Sequence, residues 1–94
     1  MEKEILLKRE DKAVKAYHEG KEVGEVTYSV GGDTLLIIDH THVDESMKGQ
    51  RLGNKMVYEV VQMARESGKK IIPLCPFAKK EFEKNESYKD VLKS

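Results

Sequence analysis

The sequence predicts one α+β domain built around a mixed, mainly antiparallel sheet, and three observations lead to this class. Apolar and polar residues alternate with period two through most of residues 13–30, which is typical of half-buried strands. Residues 35–38 are all apolar, as in a central strand. Residues 52–64 carry apolar side chains at three- and four-residue spacing, which predicts a helix.

Four strands are expected before the helix. The fourth covers residues 34–43, and its apolar run predicts a central strand with cover on both faces of the sheet. From Asp39 onward this strand is polar, so its carboxyl end should open into solvent. The three earlier strands are expected over residues 4–9, within residues 12–20 and within residues 22–30, with turns at Gly20 and at residues 31–33.

The helix is expected over residues 52–67, because Gly68 is a suitable residue just beyond a helix end. A fifth strand follows over residues 70–75. A strand, a helix and a strand in this order make a crossover unit, whose two strands are normally parallel neighbours. Two short helical pieces, within residues 77–85 and 87–93, should then pack on the sheet.

Composition argues against several classes of protein. The 94-residue chain has 17 Lys and Arg and 17 Asp and Glu, so a net charge of zero disfavours general nucleic-acid binding. No apolar run approaches the length of a membrane span, and the first residues do not have the pattern of a signal peptide. The single cysteine, Cys75, cannot form an internal disulfide, and a free thiol predicts a cytoplasmic protein.

The loop between the fourth strand and the helix has features of a phosphate-binding turn. The first amides of a helix have no partner within it, and together with the helix dipole they attract anions. Gly49 and Gly53 would let a phosphate approach the backbone closely, and Lys48 and Arg51 would add positive charge. The alternative is that both glycines only shape the turn and both cations are solvated.

This loop, "VDESMKGQRLGNKMV", resembles the acetyl-coenzyme A loop of the GCN5-related N-acetyltransferase (GNAT) superfamily, whose motif is Arg/Gln-x-x-Gly-x-Gly/Ala. Lys48 takes the first, basic position and Gly53 the last, small one. Arg51 stands where the family usually has its middle glycine. "HTHV" before the loop and "IIPLCPF" after the helix resemble a compact single-domain subgroup with an HTxV strand end and a PxC strand.

The resemblance implies a minimal GNAT-like fold with a crossover helix and a splayed parallel pair of strands ending at Val43 and Cys75. Acetyl-coenzyme A or coenzyme A would be the co-substrate, with no metal, and an amine of unknown identity, small molecule or protein, would be the acetyl acceptor. The residues expected to contact the cofactor are Thr41, His42, Val43, Lys48, Gly49, Gln50, Arg51, Leu52, Gly53, Asn54, Cys75, Pro76 and Phe77.

Cys75 is the principal candidate for catalysis. Pro73 and Pro76 leave the end of its strand short of hydrogen-bond donors, which suits a splayed site. In the subgroup that the chain resembles, this cysteine is the suspected catalytic residue. It could attack the thioester as a nucleophile, or it could protonate the departing coenzyme A thiolate. The alternative is a small buried hydrophobe.

His40 and His42 are the other catalytic candidates, and period-two geometry places them on one face of the fourth strand. Either could act as a general base for an amine or help to form a thiolate at Cys75. The alternative is a histidine that is simply hydrogen-bonded at a strand end. A His-x-His metal site would need further ligands, and Asp39 is expected on the opposite face.

Two other functions remain open at the level of sequence. The chain could hold coenzyme A or its acyl form without catalysis, or it could be a small protein-interaction domain with no coenzyme. Phe77 could flank the coenzyme arm, although aromatic residues at such positions are more often part of the core. Lys79 or Lys80 could touch the 3′-phosphate of coenzyme A.

Overall fold

A computed structural model describes residues 5–47 and 51–93 of the chain, with Ser46 described by its backbone alone. Lys48, Gly49 and Gln50, three of the expected cofactor contacts, therefore lie outside the described residues. The elements are strands β1 (Leu6–Glu10), β2 (Ala13–His18), β3 (Lys21–Gly31), β4 (Leu35–Val43) and β5 (Lys70–Pro73), helices α1 (Leu52–Ser67) and α2 (Pro76–Lys84), and 3₁₀ segments at Glu45–Met47 and Glu86–Val91.

The five strands form one sheet in the order β1-β2-β3-β4-β5. Neighbours from β1 to β4 are antiparallel, whereas β4 and β5 are parallel and are joined across the sheet by α1. The predicted α+β class, with a mixed and mainly antiparallel sheet and a crossover helix, is confirmed. The topology follows from the sequence order because a helix, and not a short turn, separates the two parallel strands.

Helix α1 buries one apolar stripe against the sheet, with Met56, Val57, Val60 and Val61 fully buried. Burying a side chain of this size stabilises the fold by roughly 1.5–3 kcal/mol. The helix ends at Gly68, whose φ of 69° is left-handed, and the amide of the next residue bonds the carbonyl of Ala64. The predicted bounds of this helix agree with the structure, because its stripe and its terminating glycine are local signals.

The expected cover on both faces of β4 is wrong for the described residues. Leu36 and Ile38 are buried under the helices, whereas Leu35 and Ile37 point to the other face and are only half-buried. Both helices and the later 3₁₀ segment share one buried cluster with the residues on the first face. A central position between β3 and β5 accounts for the apolar run without a second layer.

Strand β5 is shorter than predicted, since it ends at Pro73 and not at Cys75. The amides of Leu74 and Cys75 both donate to the carbonyl of Ile38, at 3.1 and 3.2 Å, so the ladder cannot advance beyond that residue. The chain then turns directly into α2. The second predicted helical piece is a 3₁₀ segment, and Leu92 after it forms a parallel bridge with Ile71.

Candidate active site

The candidate site is the fork where β4 and β5 separate. The two strands are paired as far as Ile38 and Pro73, but β4 continues to Val43 and is bound there to β3 only. In the described part of the chain, no strand covers the outer edge of residues 39–43. This open edge is where the sequence predicted contacts with the coenzyme arm, at Thr41, His42 and Val43.

A β-bulge at Asp39 decides which side chains face the helices. His40 is opposite Thr27 and Ile38 is opposite Tyr28, so Asp39 is an extra residue in β4. Beyond the bulge, Thr41 is opposite the fully buried Val26 and therefore faces the helices.

His40 and His42 point to the helix-free face, opposite Thr27 and Glu25. Asp39 lies on that face as well, because its carboxylate accepts a hydrogen bond of 2.7 Å from Ser29, which shares a face with Thr27. The prediction that Asp39 lies opposite the two histidines is therefore wrong, since a bulge breaks the period-two alternation. No group of three His, Cys, Asp or Glu side chains within residues 5–47 and 51–93 is arranged to hold a metal ion.

Cys75 lies on the helix side of the fork, at the residue immediately before α2. Its Sγ atom is 3.5 Å from the hydroxyl of Thr41, and the residue is only 7% exposed. Pro76 is the first residue of the helix, a position that proline favours because no amide is needed there. Cys75 is thus held between the open edge of β4 and the amino end of a helix.

Opposing effects act on the pKa of Cys75. Burial raises it, but the Thr41 hydroxyl lowers it, as do the backbone amides of Ala78, Phe77 and Thr41. The lowering effects are larger in sum, so the pKa lies below the ordinary value for a thiol. The sulfur makes no well-aligned capping hydrogen bond with the helix, so the amides act mainly through their partial charges.

Both helices present free amino ends at the fork. The first hydrogen bond of α1 runs from the Lys55 amide to the Arg51 carbonyl at 3.1 Å, so the amides of residues 52–54 have no partner within the helix. Neither α1 nor α2 has an acidic residue in its first turn or a side-chain cap. No acidic side chain within the first turn offsets the positive end of either dipole, and such an end favours a negative group.

Phe77 and Gly53 join these two helix ends. A Cβ atom added to Gly53 would lie 2.7 Å from Cζ of Phe77, so the ring rests directly on the glycine. Phe77 remains 38% exposed, which makes it a rim residue and not part of the core. Leu52, by contrast, is 1% exposed, so its side chain is part of the core.

The structure thus divides the predicted residues into three groups. Those on the helix side of the fork are Thr41, Val43, Leu52, Gly53, Cys75, Pro76 and Phe77. His40 and His42 lie on the helix-free face, and the thiol pKa is not shifted by either of them. Arg51 and Asn54 line two cavities at the first turn of α1.

The sequence did not indicate that the Thr41 hydroxyl and the Ala78 amide lower the pKa of Cys75. A signal for the second was present, since Pro76 directly after Cys75 is typical of a helix start and places the thiol at its cap. No local signal indicated the contact of Thr41 with the thiol. The side chain of Thr41 points to the helices only because of the bulge in the pairing of β4 with β3.

Comparison with known proteins gives a consistent result. Residues 13–91 match the sequence model of a family described as GCN5-related N-acetyltransferase. The fold is similar to that of a GCN5-like candidate N-acetyltransferase from Staphylococcus aureus, with a TM-score of 0.77 and 36% identity over 95% of this chain and 88% of that one. A comparison with curated protein sequences finds no match.

Two larger structures that contain coenzyme A are also similar. A GNAT family N-acetyltransferase from Escherichia coli in complex with CoA has a TM-score of 0.59 and 28% identity over 66% of this chain and 38% of its own. A protein of Mycobacterium tuberculosis in complex with CoA has a TM-score of 0.60 and 26% identity over 73% of this chain and 49% of its own. The chain therefore spans less than half the length of either.

Proposed function

Because the chain belongs to the GCN5-related N-acetyltransferase family, we propose that it binds acetyl-coenzyme A at the fork and transfers the acetyl group to an amine by way of Cys75. The observation that carries this proposal is the position of the thiol. Its sulfur lies 3.5 Å from the Thr41 hydroxyl at the open edge of β4, where helix amides favour its thiolate.

The free amides of α1 support a binding mode for the cofactor. The amides of Leu52, Gly53 and Asn54 would bind the pyrophosphate, with residues 48–50 completing the loop. The pantetheine arm would follow the outer edge of residues 41–43, which no strand of the described part covers, and would pass Phe77. No metal takes part in this proposal.

Cys75 has two chemical roles consistent with its pKa. As a nucleophile, its thiolate forms a bond to the acetyl carbon while the bond from that carbon to the coenzyme sulfur breaks, and the coenzyme leaves as a thiolate. The amine then attacks the acetyl-cysteine and releases the Cys75 thiolate. As a general acid, Cys75 instead gives its proton to the coenzyme thiolate during direct attack by the amine.

The two histidines support approach of the amine from the helix-free face. His40 and His42 point away from the helices, so their role in this proposal is to accept the proton that the attacking amine loses. Formation of the Cys75 thiolate is assigned to Thr41 and the α2 amides. A reducing cytoplasm would keep the single thiol free.

Cys75→Ala tests this function. In the wild type, acetyl-coenzyme A should shift amide NMR signals of residues 41–43, 51–54 and 75–78, and the variant should keep these shifts but lose turnover. A mass gain of one acetyl group in the wild type alone would assign the nucleophilic role, whereas lost turnover without such a gain would assign the acid role. An absence of shifts at millimolar ligand would overturn the coenzyme site altogether.

A second candidate, a module that binds acyl-coenzyme A without catalysis, is favoured by the burial of Cys75, which is 7% exposed. Such a module would show the same amide shifts. It would have no turnover with any amine offered, and Cys75→Ala would leave its only activity, binding, unchanged. Turnover of the wild type with any amine of a test panel would therefore exclude the hypothesis of a non-catalytic binding module.

A further inference from the structure

The first lysine of α2 lies one helical turn after the thiol. The helix begins directly after Cys75, and the amide of Lys79 donates a hydrogen bond to the Cys75 carbonyl at 2.9 Å. We propose, on the basis of the function given above with Cys75 as the nucleophile, that acetyl-Cys75 transfers its acetyl group to Lys79 of the same chain. Lys79 is then a self-acetylation site, which is used when no other amine is offered.

The side chain of Lys79 is directed toward the end of α2 that holds the sulfur. In an α-helix, side chains tilt toward the amino end, and residues four apart lie one above the other. At about 100° and about 1.5 Å per residue, Cys75 and Lys79 are about 40° apart around the helix axis and about 6 Å apart along it. The flexible four-carbon stem of a lysine is suited to span this single turn.

The position of the sulfur agrees with this direction. The amides of Phe77 and Ala78, in the first turn of α2, act on the Sγ atom of Cys75. The sulfur therefore lies at the amino end of the helix, which is the end toward which the stem of Lys79 tilts. An acetyl group on this sulfur would lie within the region that the Lys79 amine can reach.

The amine of Lys79 is available for such a reaction. Lys79 is exposed, and no ion pair joins it to another residue within residues 5–47 and 51–93. The packed side of α2 carries Ala78, Glu81 and Phe82, and Lys79 is about 100° from Ala78 around the axis. Lys79 thus lies at the margin of the packed side, where its stem can follow the protein surface toward the fork.

Lys80 provides a matched control. It is the next residue of the same helix, it is also exposed, and it likewise forms no ion pair within the described ranges. Around the axis, however, Lys80 is about 140° from Cys75 and about 200° from Ala78, so it points away from the packed side. The two lysines have the same side chain and differ in their direction relative to the thiol.

The transfer is balanced without a further reactant. The neutral amine of Lys79 attacks the carbonyl carbon of acetyl-Cys75, and a carbon–nitrogen bond forms while the carbon–sulfur bond breaks. The sulfur leaves as the Cys75 thiolate, and the amine proton passes to water. Because both groups belong to one chain, the reaction needs no collision with a second molecule. Its product is one acetyl-lysine per chain, which has lost the positive charge of the lysine.

The experiment incubates the wild type with acetyl-coenzyme A in phosphate buffer without amines and locates acetyl groups by peptide mass spectrometry. Neutral hydroxylamine removes an acetyl group from a thioester and not from an amide, so it distinguishes acetyl-Cys75 from acetyl-Lys79. We expect acetylation of Lys79 to be at least about tenfold faster than that of Lys80. The rate per molecule should not depend on the protein concentration.

Three variants assign the route of the acetyl group. Cys75→Ala should lose the acetyl groups of both residues. Lys79→Arg, which keeps the positive charge, should keep the acetyl group on Cys75 alone. Lys80→Arg should acetylate Lys79 as the wild type does. Amide NMR shifts of residues 41–43 on addition of acetyl-coenzyme A would check that each variant is folded and binds the coenzyme.

The outcomes separate this inference from the function on which it rests. An absence of coenzyme-induced shifts in the wild type would overturn both. An acetyl group on Cys75 with none on Lys79 would overturn self-acetylation alone, as would turnover with an added amine that leaves no residue acetylated. Acetylation of Lys79 in Cys75→Ala, or at the same rate as Lys80, would show direct reaction with acetyl-coenzyme A and would reject transfer from the thiol. A rate per molecule that rises with protein concentration would reject transfer within one chain.

Discussion

The ring of Phe77 rests on the α-carbon of Gly53, so closely that an added Cβ would lie 2.7 Å from the ring. This contact brings the amino end of α2 against the amino end of α1, on the helix side of the fork. The α2 amides of Phe77 and Ala78 act on the sulfur of Cys75, so the start of α1 lies next to the helix end that holds the thiol. The proposed cofactor site depends on this junction, which therefore provides the first prediction.

The effect of Gly53→Ala on stability should change sign with residue 77. In an α-helix, alanine is favoured over glycine by roughly 1 kcal/mol, whereas overpacking costs about 1–3 kcal/mol. With Phe77 present, the substitution should destabilise the protein or leave it unchanged. In a Phe77→Ala background the obstacle is gone, and the same substitution should stabilise the protein, as measured by urea denaturation. Equal effects in both backgrounds would contradict the contact.

Thr41→Val should raise the pKa of Cys75. The Thr41 hydroxyl favours the thiolate, and valine has nearly the same shape without a hydrogen-bond donor. The pH midpoint for alkylation of Cys75 by iodoacetamide should therefore move to higher pH. Thr27→Val is the control, because Thr27 lies on the helix-free face opposite His40, and it should not move the midpoint. An unchanged midpoint in Thr41→Val would remove Thr41 from the site.

Arg51→Gly and Arg51→Ala should differ in stability and agree in binding. Arg51 has a φ of 58°, a left-handed conformation that costs a non-glycine residue about 1–2 kcal/mol. Glycine avoids this cost but has a more flexible unfolded chain, so we expect Arg51→Gly to be about 1 kcal/mol more stable than Arg51→Ala. Both variants lose the cation, so both should weaken coenzyme A binding alike. A stability order with alanine above glycine would contradict the strained turn.

Arg9→Gln should remove a pH-dependent part of the stability. Arg9 joins β1 to α1 through two hydrogen bonds to Glu66, at 2.8 and 3.0 Å, which lower the pKa of that carboxyl below its ordinary 4.5. The folded-state pKa is thus below the unfolded one, so the contribution is present above the unfolded pKa and is lost as the pH falls through the folded pKa. Urea midpoints should differ between wild type and variant near neutral pH and converge in acid.

The control for this prediction is Lys89→Gln. The pair of Lys89 with Glu86 is highly exposed at 3.5 Å, and such pairs contribute little. Its urea midpoint should follow that of the wild type at every pH. A constant difference between Arg9→Gln and the wild type, extending into strong acid, would show that Arg9 acts by packing and not through the charge of Glu66.

Much of the fold follows from local patterns. The bounds of α1 could be read from its apolar spacing and from Gly68, and the crossover between parallel strands follows from the order of elements. The residue at which β5 ends could not be predicted from the sequence. It depends on the partner strand, because the amides of Leu74 and Cys75 both bond the carbonyl of Ile38. Strand ends depend on the neighbour, and a single sequence does not describe the neighbour.

The candidate site divides in the same way. The positions of Cys75 before a helix and of Gly53 in the first turn of α1 are encoded by residues next to them in the chain. The face of the sheet to which Asp39, His40 and Thr41 point is not encoded locally. It depends on the bulge, which is a property of the register between β3 and β4. The cavity that Arg51 and Asn54 line together with Glu81 and Lys84 could not be predicted either, because it forms only when α1 and α2 lie side by side.

The sequence by itself therefore determined the order of elements, the crossover helix and the place of the only thiol between the fifth strand and the second helix. These depend on side-chain periodicity and on proline and glycine, whose effects extend over a few residues. Only the tertiary structure decided that Thr41 meets the thiol while His40 and His42 face away, and that one face of the sheet carries both helices. Those relationships arise from contacts between residues far apart in the chain, where packing and strand register overrule local preference.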